Sequence, residues 1–156
     1  MCIRDRLGAE AAAVFGPLSL QGEYMQTSVD VDGPGSDPDF SGWYVFGSYF
    51  LTGEQRPYKA SSGTFGRVKP KSIVGKGGHG AWELAARYSS IDLHDSGIDG
   101  GEEDNITVGL NWYATPNIRF MANYVRASTD PSSEVKYASA GDEDANIYQL
   151  RGQIDF

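Results

Sequence analysis

Cationic side chains are concentrated in one segment of an otherwise acidic chain. The 28 residues from Thr52 to His79 carry a formal charge of +5, whereas the rest of the chain carries −13. Lysine and arginine donate several hydrogen bonds and accept none, which suits phosphate oxygens and other oxyanions. The sequence therefore predicts an anion-binding segment. Its candidate residues are Arg56, Lys59, Arg67, Lys69, Lys71 and Lys76.

Gly, Ser and Pro occur throughout this segment, residues 52–79, which we call the basic insert, and they predict a long loop rather than a strand. A cationic loop beside a pore mouth can fold inward and set anion preference, because charged rings select ions. The alternative is a solvated loop that never contacts a pore. Three further cations on predicted strands would add fixed positive charge along a hydrated path: Arg87, Arg119 and Arg151.

Other spacings that could carry chemistry fail on their context. Residues 75–80 match G-x-G-x-x-G, but no βαβ unit surrounds them, so dinucleotide binding is not predicted. His79 and His94 are isolated, which predicts no metal site. No nucleophile stands beside a base. We therefore expect no enzyme activity, no catalytic residue, no metal and no cofactor.

Apolar and polar residues alternate along most of the chain, with the period of a β-strand. Strands of outer-membrane β-barrels alternate in this way, with lipid outside and water inside. The seven predicted strands are 7–15, 18–29, 40–51, 80–92, 105–114, 117–128 and 145–156. The apolar register of the final strand is also the candidate barrel-assembly signal: Tyr148, Leu150, Gly152, Ile154 and Phe156.

Strand length favours a membrane barrel over a soluble sheet. Most of the predicted strands are near the length of about 9–11 residues that crosses a bilayer at a tilt, whereas strands of sandwiches usually have about 5–6. Tyr and Trp near the strand ends match interfacial girdles. We predict an all-β fold, the C-terminal part of a transmembrane outer-membrane β-barrel with about seven antiparallel strands. A soluble β-sandwich binding module is the alternative.

Connections between the predicted strands alternate in length. Residues 16–17 and 115–116 predict tight turns, whereas 30–39, 93–104 and 131–144 predict long acidic loops. Short periplasmic turns and long extracellular loops are typical of outer-membrane barrels. The acidic loops predict solvated segments, or divalent-cation bridges to lipopolysaccharide.

The first six residues differ from the rest of the chain. Residues 1–6 lack the apolar stretch of a signal peptide and do not continue the strand pattern. We expect them to be a non-native N-terminal scar. Residues 7–156 are then the C-terminal part of one barrel domain, with a long basic loop at 52–79.

Several motifs occur in a specific order and spacing. They are GWYV at 42–45, SYFLTGE at 48–54, RPY at 56–58, FGRVKP at 65–70, GAWELAARYS at 80–89, GLNWY at 109–113 and QLRGQIDF at 149–156. In these motifs the chain resembles the phosphate-selective porin O and P family, over about residues 18–156. The resemblance implies a trimeric outer-membrane porin that takes up phosphate or polyphosphate through a pore lined with Arg and Lys.

The sequence as a whole predicts an anion-preferring diffusion porin of a Gram-negative outer membrane. Two alternatives remain open within the barrel class: a general porin without phosphate selectivity, and a barrel with a structural or adhesive role. Expected partners are inorganic anions, outer-membrane lipid and lipopolysaccharide, and the barrel assembly machinery. The full-length protein is expected to be a homotrimer, and nucleic acid is not an expected partner.

Overall fold

Long β-strands account for most of the described chain. The computed structural model describes residues 4–29, 37–95, 98–130 and 143–156. Seven long strands form one sheet, and two short strands form a separate hairpin. The strands are β1 (Arg4–Phe15), β2 (Leu18–Val29), β3 (Asp39–Phe50), β4 (Tyr58–Lys59), β5 (Thr64–Phe65), β6 (Ala81–Asp95), β7 (Ile98–Thr115), β8 (Ile118–Asp130) and β9 (Glu143–Ile154).

Within these described ranges, no helix is long and apolar enough to cross a membrane.

The seven long strands pair antiparallel in the order in which they occur along the chain. This is an up-and-down arrangement, in which each strand pairs with its neighbours in sequence. Turns at 16–17 and 116–117 join β1 to β2 and β7 to β8 at one end of the sheet. The basic insert leaves β3 at the same end, since the Phe50 amide donates to the Pro17 carbonyl. The predicted tight turn at 16–17 is confirmed, and the second turn lies one residue later than the predicted 115–116.

One face of the sheet is apolar and exposed, and the opposite face is polar and buried in part. Strand alternation and register place Val45 and Leu150 on one side, and Ser48 and Glu83 on the other. Val45 is 52% exposed and Leu150 is 88% exposed, whereas Ser48 and Glu83 are buried. A soluble domain has the opposite distribution, because water drives apolar side chains inward. The exposed apolar face therefore fits contact with lipid.

Aromatic rings lie at both ends of the apolar face. At the turn end, Trp112 stacks between Trp82 and Phe120, with ring centroids 5.6 and 5.5 Å apart. At the opposite end, the Tyr88 and Trp43 ring centroids lie 5.3 Å apart, and Tyr124 packs against Tyr148 in the same way. Trp82 and Tyr88 are separated by about 20 Å along β6 at 3.3 Å per residue, comparable with an apolar band about 25 Å tall. The predicted aromatic girdles are confirmed.

Strands β6 and β7 are longer than the sequence predicted. The predicted loop at 93–104 is wrong for residues 93–95 and 98–104, which lie on these two strands. Backbone pairing continues from Tyr88–Ile106 as far as Asp95–Ile98, with an irregularity between Asp92 and His94. Beyond the apolar band both faces of a strand meet water, so no alternation marks the strand in the sequence. The acidic residues here lie on a paired β-ribbon.

Other strand ends differ by a few residues. β1 begins at Arg4 rather than at residue 7, and its first residues pair with the end of β2. β9 begins at Glu143 and ends at Ile154, so Phe156 lies beyond the strand. Most of the predicted loops at 30–39 and 131–144, and residues 1–3, fall outside the described residues. The assignment of residues 1–6 as non-native stays a prediction.

The basic insert packs on the polar face of the sheet. It was predicted as a loop, but it contains the hairpin β4–β5, whose Tyr58 and Phe65 rings lie 5.2 Å apart. It returns along the end of β7, where the Val74 amide donates to the Ala114 carbonyl at 3.0 Å. One residue of the insert joins three residues of the sheet in a buried apolar cluster: Val68 with Phe50, Ala81 and Tyr113.

Gly80 joins the insert to β6 in a conformation that disfavours other residues. Its φ is +76°, and an added Cβ would lie 2.5 Å from the Tyr113 carbonyl oxygen. We expect Gly80→Ala to destabilise the full-length barrel by about 1–3 kcal/mol, measured by denaturant unfolding in micelles. Gly16→Ala is the matched control, because Gly16 also has a positive φ but open space around it. Equal losses of stability in the two variants would contradict this prediction.

Candidate anion-binding site

Strand register brings polar residues from four strands together on the polar face near the turn end. Glu83 of β6 pairs with Asn111 of β7. Tyr113 of β7 pairs with Arg119 of β8, which pairs with Gln153 of β9. Period-two alternation directs all five side chains to the same side of the sheet. Residues that are far apart in the sequence thus form one polar row.

Glu83 lies within this row, and its side chain is 0% exposed. Its Oε1 accepts a hydrogen bond from Arg56 Nη2 at 2.5 Å. Its Oε2 accepts from Asn111 Nδ2 at 3.0 Å and from the Tyr113 hydroxyl at 2.8 Å. A buried carboxylate is costly unless it has an opposite charge and hydrogen-bond donors. Two of these donors come from the sheet, and the charged donor comes from the basic insert.

Arg56 links the insert to the sheet. Its guanidinium lies over the rings of Phe46 and Phe65, at 5.5 and 5.4 Å from their centroids. Phe46 is on the polar face of β3 and Phe65 is in the hairpin of the insert, so the cation is held between the two. Only 18% of its side chain is exposed, and Glu83 balances its charge. Its role as an anion ligand stays a prediction.

Arg119 and Arg56 each have a buried Nε without a hydrogen-bond partner among the described residues, but only Arg56 is paired with a carboxylate. Arg119 Nη2 donates to the amide oxygen of Gln153 at 2.7 Å, and its guanidinium lies 5.9 Å from the Tyr113 ring centroid. The Gln153 amide is neutral and therefore leaves the charge of Arg119 unbalanced. A buried donor without a partner is costly, and an oxyanion would satisfy it.

An open cleft of about 330 Å³ lies between the insert and the turn that joins β7 to β8. Its polar lining residues are Arg56, Arg67, Tyr113, Thr115, Asn117, Arg119 and Asp155. The one carboxylate in this lining, that of Asp155, lies 3.8 Å from Arg67. Arginine presents a planar array of N–H donors that matches phosphate oxygens. The cleft thus combines an excess of positive charge with enough space for a small hydrated oxyanion.

Glu54 organises the base of the insert. It is buried, and its two carboxylate oxygens accept hydrogen bonds from the Thr52 hydroxyl and, at 3.1 Å, from the Lys71 amide. Lys71 Nζ in turn donates to the Gly53 carbonyl at 2.5 Å. These contacts join the start of the insert to its return segment. Lys71 therefore lies among contacts that close the insert on itself.

The remaining predicted cations are spread over a wider area than the cleft. Lys59, Lys69 and Lys76 are exposed on the insert. Arg87 lies further along the polar face, 4.3 Å from the centroid of the Tyr44 ring. Arg151 is exposed on β9 and pairs in register with Met121. The structure thus brings together Arg56, Arg67 and Arg119, and separates the others.

The predicted assembly register is exposed on the apolar side of β9. Its residues on the strand are Tyr148, Leu150, Gly152 and Ile154, and Phe156 follows the strand.

Three residues of the site were not predicted from the sequence: Glu83, Glu54 and Gln153. The position of Glu83 on the polar register of a predicted strand was the one indication in the sequence that it faces the site. No spacing could show that Arg56 reaches it. Among the described residues, no group of three or more His, Cys, Asp or Glu could hold a metal ion.

The sheet exposes its apolar face, and aromatic girdles lie at both ends of that face. These features define the chain as part of a transmembrane outer-membrane β-barrel and exclude a soluble β-sandwich. A family model described as phosphate-selective porin O and P matches residues 3–156. The chain belongs to this family of outer-membrane proteins of Gram-negative bacteria, which are channels and not enzymes.

Two curated relatives are similar over nearly the whole chain. An uncharacterized protein of Caulobacter vibrioides is 34% identical over 96% of this chain and 29% of the relative. Porin O of Pseudomonas aeruginosa is 32% identical over 96% of this chain and 34% of the relative. The chain therefore spans about a third of the length of these relatives.

Proposed function

We propose that this chain is the C-terminal part of a diffusion porin that prefers anions and takes up phosphate or polyphosphate. The cleft lined by Arg56, Arg67 and Arg119 carries this proposal, because its positive charge exceeds its negative charge. Glu83 balances Arg56 and Asp155 lies near Arg67, which leaves the guanidinium of Arg119 in excess. The likeness to Porin O supports the same assignment.

The proposed mechanism is conduction between several weak sites. Arg87 and Arg119 lie on the polar face, and Arg151 shares the register of this face, so an anion moving along it meets successive positive charges. The exposed lysines of the insert extend this charge beyond the sheet. Conduction requires each site to bind weakly enough for release. Paired guanidinium groups, such as Arg56, would then contribute less than Arg119.

Several partners belong to this proposal. The full-length protein forms a homotrimer in contact with outer-membrane lipid, and the acidic extracellular segments bind lipopolysaccharide through divalent cations. The barrel assembly machinery recognises the apolar register that begins at Tyr148. The alternation of apolar and polar residues along β9 supports that recognition, because the exposed apolar register presents one continuous surface.

Reversal potential in a planar bilayer tests the proposal on the full-length porin. Under a KCl gradient we expect a potential of the sign set by chloride, and added phosphate should block the current. A potential set by potassium, without block, would contradict both anion preference and phosphate uptake. A chloride-directed potential without block would retain the anion porin and contradict the phosphate assignment.

A further inference from the structure

We propose that Glu83 is a positioning and specificity-determining residue. It holds the basic insert on the polar face and removes the charge of Arg56 from the anion path. The second part rests on the proposed function, whereas the first part does not. Both parts follow from the contacts of one fully buried carboxylate.

The positioning role follows from the origin of the donors around Glu83. Asn111 and Tyr113 belong to β7, a strand of the sheet that also contains Glu83. Arg56 belongs to the insert and supplies the ion pair. Other described contacts join the insert to the sheet through apolar packing at Val68 and a backbone hydrogen bond at Val74. The Trp112 indole also donates to the His79 carbonyl, and the Trp82 amide donates to the Thr52 hydroxyl. Glu83 thus provides the buried charged contact that fixes this part of the insert, whereas the Arg67–Asp155 pair is longer and exposed.

The specificity role follows from the burial of both charges. If either partner is removed, the other remains as an uncompensated charge in a site of low dielectric constant. With both partners present, Arg56 adds almost no field to the adjacent cleft. The arginines that remain for a passing anion are then Arg67 and Arg119.

Trypsin cleavage of the full-length porin in micelles measures how firmly the insert is held. The bond after Arg67 is protected while Val68 is buried against the sheet. The bond after Lys59 lies in the exposed hairpin and serves as an internal reference. Arg56 precedes a proline, and trypsin does not cleave such bonds, so changing Arg56 removes no cleavage site.

We expect Glu83→Gln and Arg56→Gln each to accelerate cleavage after Arg67, relative to the reference bond, by about tenfold or more. This factor corresponds to about 1.4 kcal/mol of local stability. The double variant should be cleaved more slowly than either single variant, because no charge is then left buried alone. Glu10→Gln is the matched control, since its exposed carboxylate also lies on the polar face and accepts a hydrogen bond from the neutral Gln21 amide.

Wild-type cleavage rates in both single variants would overturn the positioning role. If Glu83→Gln does not assemble, Arg56→Lys tests the contact from the side of the insert, because it keeps the charge that balances Glu83. Its ammonium cannot replace the planar guanidinium between the two rings, so cleavage should still accelerate. A wild-type rate in this variant would show that the charge pair alone fixes the insert and would contradict a contribution from the stacked guanidinium.

Reversal potentials of the same variants test the specificity role. Glu83→Gln should shift the potential toward that of chloride, and Arg56→Gln should shift it the other way. Unchanged potentials in both would overturn this part. A wild-type porin without anion preference, together with faster cleavage in the variants, would refute the proposed function and support the positioning role of Glu83.

Discussion

Replacing Arg119 by glutamine is expected to weaken phosphate block of the full-length porin about tenfold. Arg119 lines the cleft, has a buried Nε without a partner among the described residues, and is bound by a neutral amide. A hydrogen bond to a charged group contributes about 1.5–3 kcal/mol, and about 1.4 kcal/mol corresponds to tenfold in affinity. The phosphate concentration that halves the single-channel current in chloride measures this effect.

Lys59→Gln provides the matched control for this variant. It removes the same unit of positive charge from the basic insert, but its side chain is exposed and does not line the cleft. Solvent and salt screen such a charge strongly, so we expect little change in the blocking concentration. Equal weakening by the two variants would show that net charge alone, and not the cleft, determines phosphate block.

Placing arginine at Val108 is expected to destabilise the full-length barrel by about 2–4 kcal/mol. Val108 lies on the exposed apolar face of β7, between the aromatic pair at Tyr88 and the stack at Trp112. A cation there must leave water for the middle of the lipid layer, which is costly. Denaturant unfolding in lipid vesicles measures the loss.

Thr107→Arg is the control, because it makes a similar change one residue earlier on the same strand. Thr107 lies on the polar face and pairs in register with Arg87, so its replacement points into water. We expect a much smaller loss of stability than for Val108→Arg. If the two variants were equally destabilised, the assignment of lipid and water to the two faces would be wrong.

Alternation made the strands within the apolar band predictable. The apolar registers of β6 through β9 were correct because lipid on one side and water on the other impose a period of two. The same reasoning failed for Ile98–Asp104 of β7. Water surrounds that part of the strand on both faces, so the sequence shows charged residues and glycines without a period.

The site was predictable only in composition. The cations of the basic insert and the strand arginines were visible in the sequence, since charge requires no knowledge of contacts. The pairing of Arg56 with Glu83 was not, because it joins a loop to a strand 27 residues away. Apolar residues on the polar register, such as Phe46 and Phe50, were a partial sign that a segment would cover this face.

The β6–β7 ribbon determines the distance over which its carboxylates act. From the Tyr88–Ile106 pair to Asp95 it extends about 23 Å, at 3.3 Å per residue. The backbone N–H of His94 donates to Asp92 and lowers the pKa of that carboxyl, which keeps it ionised. In physiological salt the Debye length is about 8 Å, so an arriving anion is repelled only by the carboxylates nearest to it along the ribbon. In dilute media the Debye length reaches about 30 Å, and the whole ribbon then repels the anion at once.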